Sequence, residues 1–388
     1  MSTTAPKGFS AAGVAAGLKS SGDLDVAVVL NHGPDDAAAA VFTTNRFPAA
    51  PVLWSRQVLA DGRVRAVVLN SGGANACTGP EGFQDTHATA EHAAVELGHA
   101  GRELGAIDVA VASTGLIGMR LPMDKLTAGI TAAVKALSED GGPDAARAIM
   151  TTDSVPKTTV QQGDGWSIGG MAKGAGMLAP SLATMLVVLT TDAVVDSSLL
   201  GPALKTATAL SFERVDSDGC LSTNDTVLLL ANGASGVTPS AEEFTEALTA
   251  AATDLAMQLL ADAEGSTKDI AITVRNAASV EDALTAGRAC ARNNLLKTAL
   301  YGNDPNWGRV LAAIGTTDAA FSADQVDVTI NGVTVCRGGA IGDPRDGVDL
   351  TGRAITIDVD LKAGAEEATI WTNDLSIAYV HENSAYST

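Results

Sequence analysis

The stretch that most restricts the fold is Gly169–Asp192, GGMAKGAGMLAPSLATMLVVLTTD. Four glycines fall within its first eight residues, around a single lysine, Lys173. Past Ala179-Pro180-Ser181 the chain turns into Ala183-Thr184-Met185-Leu186-Val187-Val188-Leu189, an apolar, β-branched run that reads as a buried strand. Pro180 biases Ala179 to an extended backbone and has no N–H for a strand ladder. The expectation is a flexible glycine loop that delivers the chain to a core strand, with Thr184 at its start. On these residues alone two readings of Thr184 stand. A threonine suits a strand. Alternatively, its hydroxyl attacks the carbonyl of Ala183, shifts the chain onto an ester and, after hydrolysis, leaves Thr184 as a new N-terminus. The freed amine, with a reference pKa of about 7.7–8.0, could then act as a base. A threonine with its own amine is a known nucleophile–base pair.

With 388 residues the chain is long enough for two or more packed layers or domains. Strands and helices alternate, which predicts a mixed α/β chain. The formal net charge of −20 argues against nucleic acid and anionic membrane surfaces as partners. An anionic substrate would have to find local cations. Cys77, Cys220, Cys290 and Cys336 are scattered without a CxxC, which fits a reducing compartment better than a disulfide framework or a zinc site. The N-terminal residues lack the apolar core of a signal peptide, and no apolar run approaches the roughly 20 residues of a membrane span. The expectation is a cytoplasmic protein.

Strands are expected at Asp25–Asn31, Ala38–Thr43, Val64–Asn70, Ile107–Ser113, Thr226–Ala231, Asp269–Val274, Gln325–Asn331, Ala354–Val359 and Ala368–Trp371. Helices are expected at Gly82–Leu97, Leu121–Ser138, Asp144–Met150, Ser197–Phe212, Ala241–Ala263 (capped by Ser240) and Ser279–Ala299. The glycine loop Ser71-Gly72-Gly73-Ala74-Asn75-Ala76-Cys77 fits neither dinucleotide nor P-loop spacing and reads as a tight turn. Asp216-x-Asp218-Gly has its glycine too early for a calcium loop and lacks the closing glutamate. The five histidines have no zinc-ligand spacing, and there is no GxSxG elbow.

Several segments together resemble the ornithine acetyltransferase family, bifunctional glutamate N-acetyltransferases of arginine biosynthesis. They are Lys173-Gly174-Ala175-Gly176-Met177 with Pro180 and Ala183-Thr184-Met185-Leu186, Thr114-Gly115, Thr151-Thr152-Asp153 with Pro156-Lys157, Glu264-Gly265-Ser266-Thr267-Lys268, Asn306-Trp307-Gly308-Arg309, and the tail Glu382-Asn383-Ser384-Ala385-Tyr386-Ser387-Thr388. The resemblance covers essentially the whole chain. It implies an α/β/β/α layered sandwich and self-cleavage between Ala183 and Thr184. Residues 1–183 and 184–388 would stay together as one intertwined catalytic unit, in an α₂β₂ assembly.

The resemblance further implies that Thr184 is the nucleophile and that Thr114 and Gly115 form the oxyanion hole. Thr151, Lys173, Thr184, Glu264, Asn383 and Thr388 would contact substrate, with Lys173 suited to an α-carboxylate and Glu264 to an ammonium. The implied partners are N-acetylornithine and glutamate, with no metal or bound cofactor. Acetyl-CoA is an open second donor. Trp307 is expected to pack and Arg309 to pair with a carboxylate. Two other classes stand beside this one. The first is an N-terminal-threonine amidohydrolase or peptidase with water as acceptor, and the second is an uncut small-molecule-binding protein.

Overall fold

A computed structural model describes residues 2–179 and 185–385. Pro180, Ala183, Thr184 and Thr388 lie outside the described residues. In chain order the elements are β1 (Phe9–Val14), β2 (Val26–Asn31), β3 (Ala37–Phe42), α1 (Ala50–Val58), β4 (Ala66–Asn70), α2 (Gly79–His99), β5 (Val109–Ser113), α3 (Met123–Lys135) and α4 (Gly142–Ala148). There follow β6 (Lys157–Gln162), β7 (Ser167–Lys173), β8 (Leu186–Thr191), α5 (Ser197–Leu210), β9 (Thr226–Ala231), α6 (Ala241–Ala261), β10 (Asp269–Ala277), α7 (Val280–Ala291), α8 (Asn294–Tyr301) and α9 (Trp307–Ile314). The chain closes with β11 (Asp327–Ile330), β12 (Val333–Arg337), β13 (Ala340–Ile341), β14 (Ala354–Asp360), β15 (Glu366–Asn373) and α10 (Ile377–Ala385).

Two sheets lie face to face. One runs β1-β2-β4-β5, the other β3-β9-β8-β7-β6. The alternation of strand side chains decides the layering. On β8, Leu186 and Val188 join the core shared with the first sheet, whereas Val187 and Leu189 join the core beneath α5 and α6. Strand β9 does the same, with Leu228 and Leu230 on one side and Val227 and Leu229 on the other. A strand buried on both faces needs no polar alternation, which is why β8 and β9 read as continuous apolar runs. Helices α1, α2 and α3 pack against the first sheet. The layers are thus α/β/β/α, as the resemblance implies.

A third core, which the sequence reading did not separate, holds the six-stranded sheet β13-β12-β11-β14-β10-β15 under α7, α8 and α9. Lys297 of α8 ties it to the rest. Its buried ammonium donates to the Ser217 carbonyl (2.7 Å), the Thr372 hydroxyl (2.8 Å) and the Asn373 carbonyl. Burial pulls this lysine down to about 8, against the opposing pull of Asp216, Asp218 and Asp374.

Three expectations need correction. The glycine-rich start of the central stretch is not a flexible loop, because Gly169, Gly170 and Lys173 lie in β7, all of whose residues are buried. The glycines are there for close approach. A Cβ on Gly169 would sit 2.2 Å from the Ser2 carbonyl oxygen, and one on Gly170 would sit 2.8 Å from Leu189 Cδ2. The expected helix Ser279–Ala299 is two helices, since the Asn293 side chain accepts from the Leu296 amide and caps α8. Arg309 donates to the Leu295 carbonyl rather than to a carboxylate, while Trp307 packs on the third core as expected. Helices α1 and α9 are missing from the sequence reading because two turns are too short to display a helical period.

The close packing around β7 gives a stability test. Gly169→Ala is expected to destabilise the fold by about 1–3 kcal/mol, because the methyl group meets backbone that cannot step aside. Gly98→Ala, at an exposed α2 position with open space around it, should stabilise by up to about 1 kcal/mol. Denaturant unfolding of both variants measures the two effects.

Candidate active site

The site is built where the carboxyl ends of β4, β5 and β7 meet the amino ends of β8 and β9. Strands β4 and β5 run parallel and finish together, Asn70 opposite Ser113. The Thr114 amide then donates to the Asn70 carbonyl and the Gly73 amide donates to the Thr114 carbonyl, each at 3.0 Å. This lays the 71–77 turn against the Thr114-Gly115 pair. Gly115 adopts φ +125°, and a Cβ there would lie 2.6 Å from the Gly73 nitrogen. Only glycine fits. The Gly115 amide has no hydrogen-bond partner among the described residues.

Asn224, buried in the loop before β9, locks both sides of this frame. Its side-chain amide donates to the Ala74 carbonyl (2.6 Å) and the Ser113 carbonyl (2.8 Å). The Thr223 hydroxyl donates to Asn224 Oδ1 at 2.6 Å and so fixes which way the amide faces.

Lys173, the last residue of β7, enters from the second sheet. It is 1% exposed. Its ammonium donates to Thr151 Oγ1 at 2.7 Å and to Thr114 Oγ1 at 3.2 Å, with Asp153 Oδ2 at 4.0 Å. Burial lowers its pKa, Asp153 raises it, Lys157 lowers it, and Glu264 and Asp225 raise it. Asp153 is the hub. It accepts from Lys157 Nζ (2.7 Å), the Gly174 amide (2.6 Å) and the Thr151 amide (3.0 Å). Burial alone would raise the Asp153 carboxyl, but Lys173, Lys157 and the Thr151 amide more than offset it and hold it at about 2. Lys157 also pairs with Asp262, at 2.6 Å.

Glu264 closes the next side of the cleft. It is 8% exposed, not a solvated helix-end acid. Its amide donates to the Ala175 carbonyl (2.9 Å), and Glu264 Oε1 accepts from the Thr152 hydroxyl (2.7 Å). Gly265, at φ +62°, lets α10 dock, because a Cβ there would lie 2.2 Å from the Tyr379 nitrogen. That contact carries the exposed Asn383 to the mouth. The resulting cavity encloses about 100 Å³.

Thr114, Gly115, Thr151, Lys173, Glu264 and Asn383, which lie far apart in the sequence, all line this one cavity. Ala183, Thr184 and Thr388 lie outside the described residues. Thr152, Ser222, Thr223 and Asn224 also line it, and the sequence reading gave them no role. Their signal was the polar segments Thr151–Asp153 and Ser222–Asp225, which pass equally well for turns. Asp225 is fully buried, and its Oδ1 faces the amide of Met185, the residue that follows Thr184 (3.4 Å). Burial pushes this carboxyl well above the usual range, against Ser222, the Met185 amide, Thr43 and Lys173. Among the described residues no group of three or more His, Cys, Asp or Glu could hold a metal ion, and no helix is long and apolar enough to cross a membrane.

The Asp153 hub makes an acid-dependent prediction. A folded-state pKa near 2 stabilises the protein above the unfolded value near 4, and this is lost as pH falls from about 4 to about 2. The wild-type chain should therefore lose about 2 kcal/mol through this group over that window. Asp153→Asn should be less stable at pH 7 and lack this component, so that unfolding curves at pH 7 and pH 3 draw the two proteins together.

Comparison with known proteins bears on the whole chain. A model of the ArgJ family matches residues 10–388. The arginine biosynthesis bifunctional protein ArgJ of Streptomyces avermitilis is 64% identical over 387 residues, covering 100% of both chains. The protein of that name from Mycobacterium leprae is 59% identical over 389 residues, covering 99% of this chain and 95% of that one. A crystal structure of ornithine acetyltransferase complexed with ornithine from Mycobacterium tuberculosis is 62% identical, covers 48% of this chain and 96% of that chain, and gives a TM-score of 0.46. The chain belongs to the ArgJ family.

Proposed function

We propose that this chain is a self-processing acetyltransferase of arginine biosynthesis that moves the acetyl group of N-acetylornithine to glutamate. The observation that carries this reading is the convergence on one cavity of Thr114, buried Lys173 and the Gly115 amide, which has no partner among the described residues. Two fixed donors side by side suit the oxygen of a tetrahedral intermediate. Family membership and relatives named for arginine biosynthesis supply the pathway.

In this reading the chain cuts itself between Ala183 and Thr184. Both fragments would remain together, since the five-stranded sheet takes β3, β6 and β7 from residues before the cut and β8 and β9 from residues after it. Strand β8 alone pairs with β7 on one side and β9 on the other. We take the assembly to be α₂β₂.

The freed Thr184 amine takes the Thr184 Oγ proton, directly or through a water. Oγ attacks the acetyl carbonyl of N-acetylornithine, and Thr114 and Gly115 receive the developing negative charge. The C–N bond breaks, the proton passes to the leaving amine, ornithine departs, and an acetyl-Thr184 ester remains. The α-amine of glutamate attacks that ester and leaves as N-acetylglutamate, which restores the hydroxyl. This is ping-pong acyl transfer, and no step needs a metal or bound cofactor. Lys173 offers positive charge to the α-carboxylate that both substrates carry, and Glu264 offers negative charge to the ornithine ammonium. Thr151, Asn383 and Thr388 complete the substrate contacts. The word bifunctional in the relatives' names favours a second reaction, for which we assign acetyl-CoA as the alternative donor to glutamate.

Thr184→Ala should abolish both self-cleavage and transfer, and a variant still split at Ala183 would remove the nucleophile from this scheme. Mass spectrometry of the intact variant reads the outcome. With N-acetylornithine alone, wild-type protein should release one burst of ornithine per site and continue only when glutamate is added. Steady release without glutamate would instead identify a hydrolase that uses water. Transfer of labelled acetyl from acetyl-CoA to glutamate tests the second donor.

A further inference from the structure

We propose that Lys173 is the positioning residue that makes the Thr114 hydroxyl an oxyanion donor, with Asp153 holding Lys173 in place. The proposal rests on the oxyanion reading of Thr114 given above and adds how that hydroxyl is aimed.

A threonine hydroxyl has one proton and two lone pairs, and its proton turns to whichever acceptor is at hand. An ammonium can only donate. Lys173 Nζ stands 3.2 Å from Thr114 Oγ1, so Thr114 must accept there and its own proton must point elsewhere. Among the described residues no protein acceptor receives that proton, and Thr114 faces the cavity. The proton is thus held ready for an oxygen arriving in the cleft. A hydroxyl that accepts from a cation is also a stronger donor, because hydrogen bonds in a chain polarise one another. The surroundings preserve this effect, since Thr114 is 2% exposed and Lys173 1% exposed. The second ammonium hydrogen, on Thr151 at 2.7 Å, fixes the direction of the lysine head.

Asp153 supplies the countercharge. Its two oxygens are tied to Lys157, the Gly174 amide and the Thr151 amide, so it cannot swing away from Lys173. The groups that act electrostatically on Lys173 are Asp153, Lys157, Glu264 and Asp225, and among the three carboxylates Asp153 acts most strongly. A Lys173 that served only as a handle for a substrate carboxylate would not need its head committed to two protein hydroxyls.

The test is a double-mutant cycle on Thr114→Val and Lys173→Met, with kcat and KM for acetyl transfer expressed per mole of cleaved enzyme. Each single change should lower kcat by about 10²–10³, with KM for N-acetylornithine within about threefold. The double variant should be no slower than the slower single one, as for groups that act as a unit. Lys173→Arg, which keeps the charge, should recover at least about tenfold over Lys173→Met. Losses that multiply in the double variant, or a Lys173→Met defect confined to KM, would overturn the proposal and leave the oxyanion reading intact. An undiminished Thr114→Val would remove the oxyanion reading and the proposal together.

Should Lys173→Met fail to fold or cleave, Asp153→Asn gives a second readout. Without its countercharge the ammonium loses its proton more easily, so the alkaline limb of the kcat profile should move to lower pH by about one unit or more. A lowered kcat with an unmoved limb would show a purely structural role for Asp153 and defeat the proposal.

Discussion

The arrangement depends on one buried cation. Lys173 is removed from water at the end of β7, and an ammonium there is tolerable only if its hydrogens and its charge are both answered. Thr114 and Thr151 answer the hydrogens, and Asp153 answers the charge. These partners come from the 114–115 turn of the first sheet and from the 151–154 segment ahead of the second. The lysine therefore holds the two sheets in register where the cleft opens. Two of these partners are themselves fixed by backbone: Thr114 by Asn70 and Gly73, Asp153 by the amides of Thr151 and Gly174.

The same economy of space runs through the surrounding fold. Gly115, Gly169 and Gly265 each stand where a Cβ would collide with backbone. Gly115 and Gly265 bring the 71–77 turn and α10 to the site, and Gly169 lets the N-terminal segment lie against β7. The third core contributes at a distance. Through Lys297 it grips the Ser217 carbonyl, at the head of the loop that ends in Asn224, and Asn224 clamps Ala74 to Ser113. An acetyl group transferred between amino acids must be protected from water, and a cleft framed by buried, mutually bonded polar groups is suited to that task.

Long, strongly patterned elements were legible in the sequence. Ser240 caps α6 as expected, and the apolar runs of β8 and β9 announce buried strands. Short elements were not, and the glycines of β7 disguised a strand as a loop. Glycine marks close approach as readily as it marks freedom, and the chain alone does not say which. Within the site, the Thr114-Gly115, Lys173 and Glu264 segments were legible through resemblance, whereas Asn224 and Thr152 were not. Their work is to join loops more than a hundred residues apart.

The sequence by itself determined the alternation of strands and helices, the acidic balance, and the family motifs with the chemistry they imply. Only the tertiary structure decided that six of the named residues share one cavity, that α7, α8 and α9 form a separate core with the six-stranded sheet, and that Lys173 spends its hydrogens on protein hydroxyls. The reason is physical. Local sequence sets backbone preference and burial pattern within a few residues, but the state of a buried charge depends on every group that packing brings around it, and here those groups lie at residues 114, 151, 153, 157, 225 and 264.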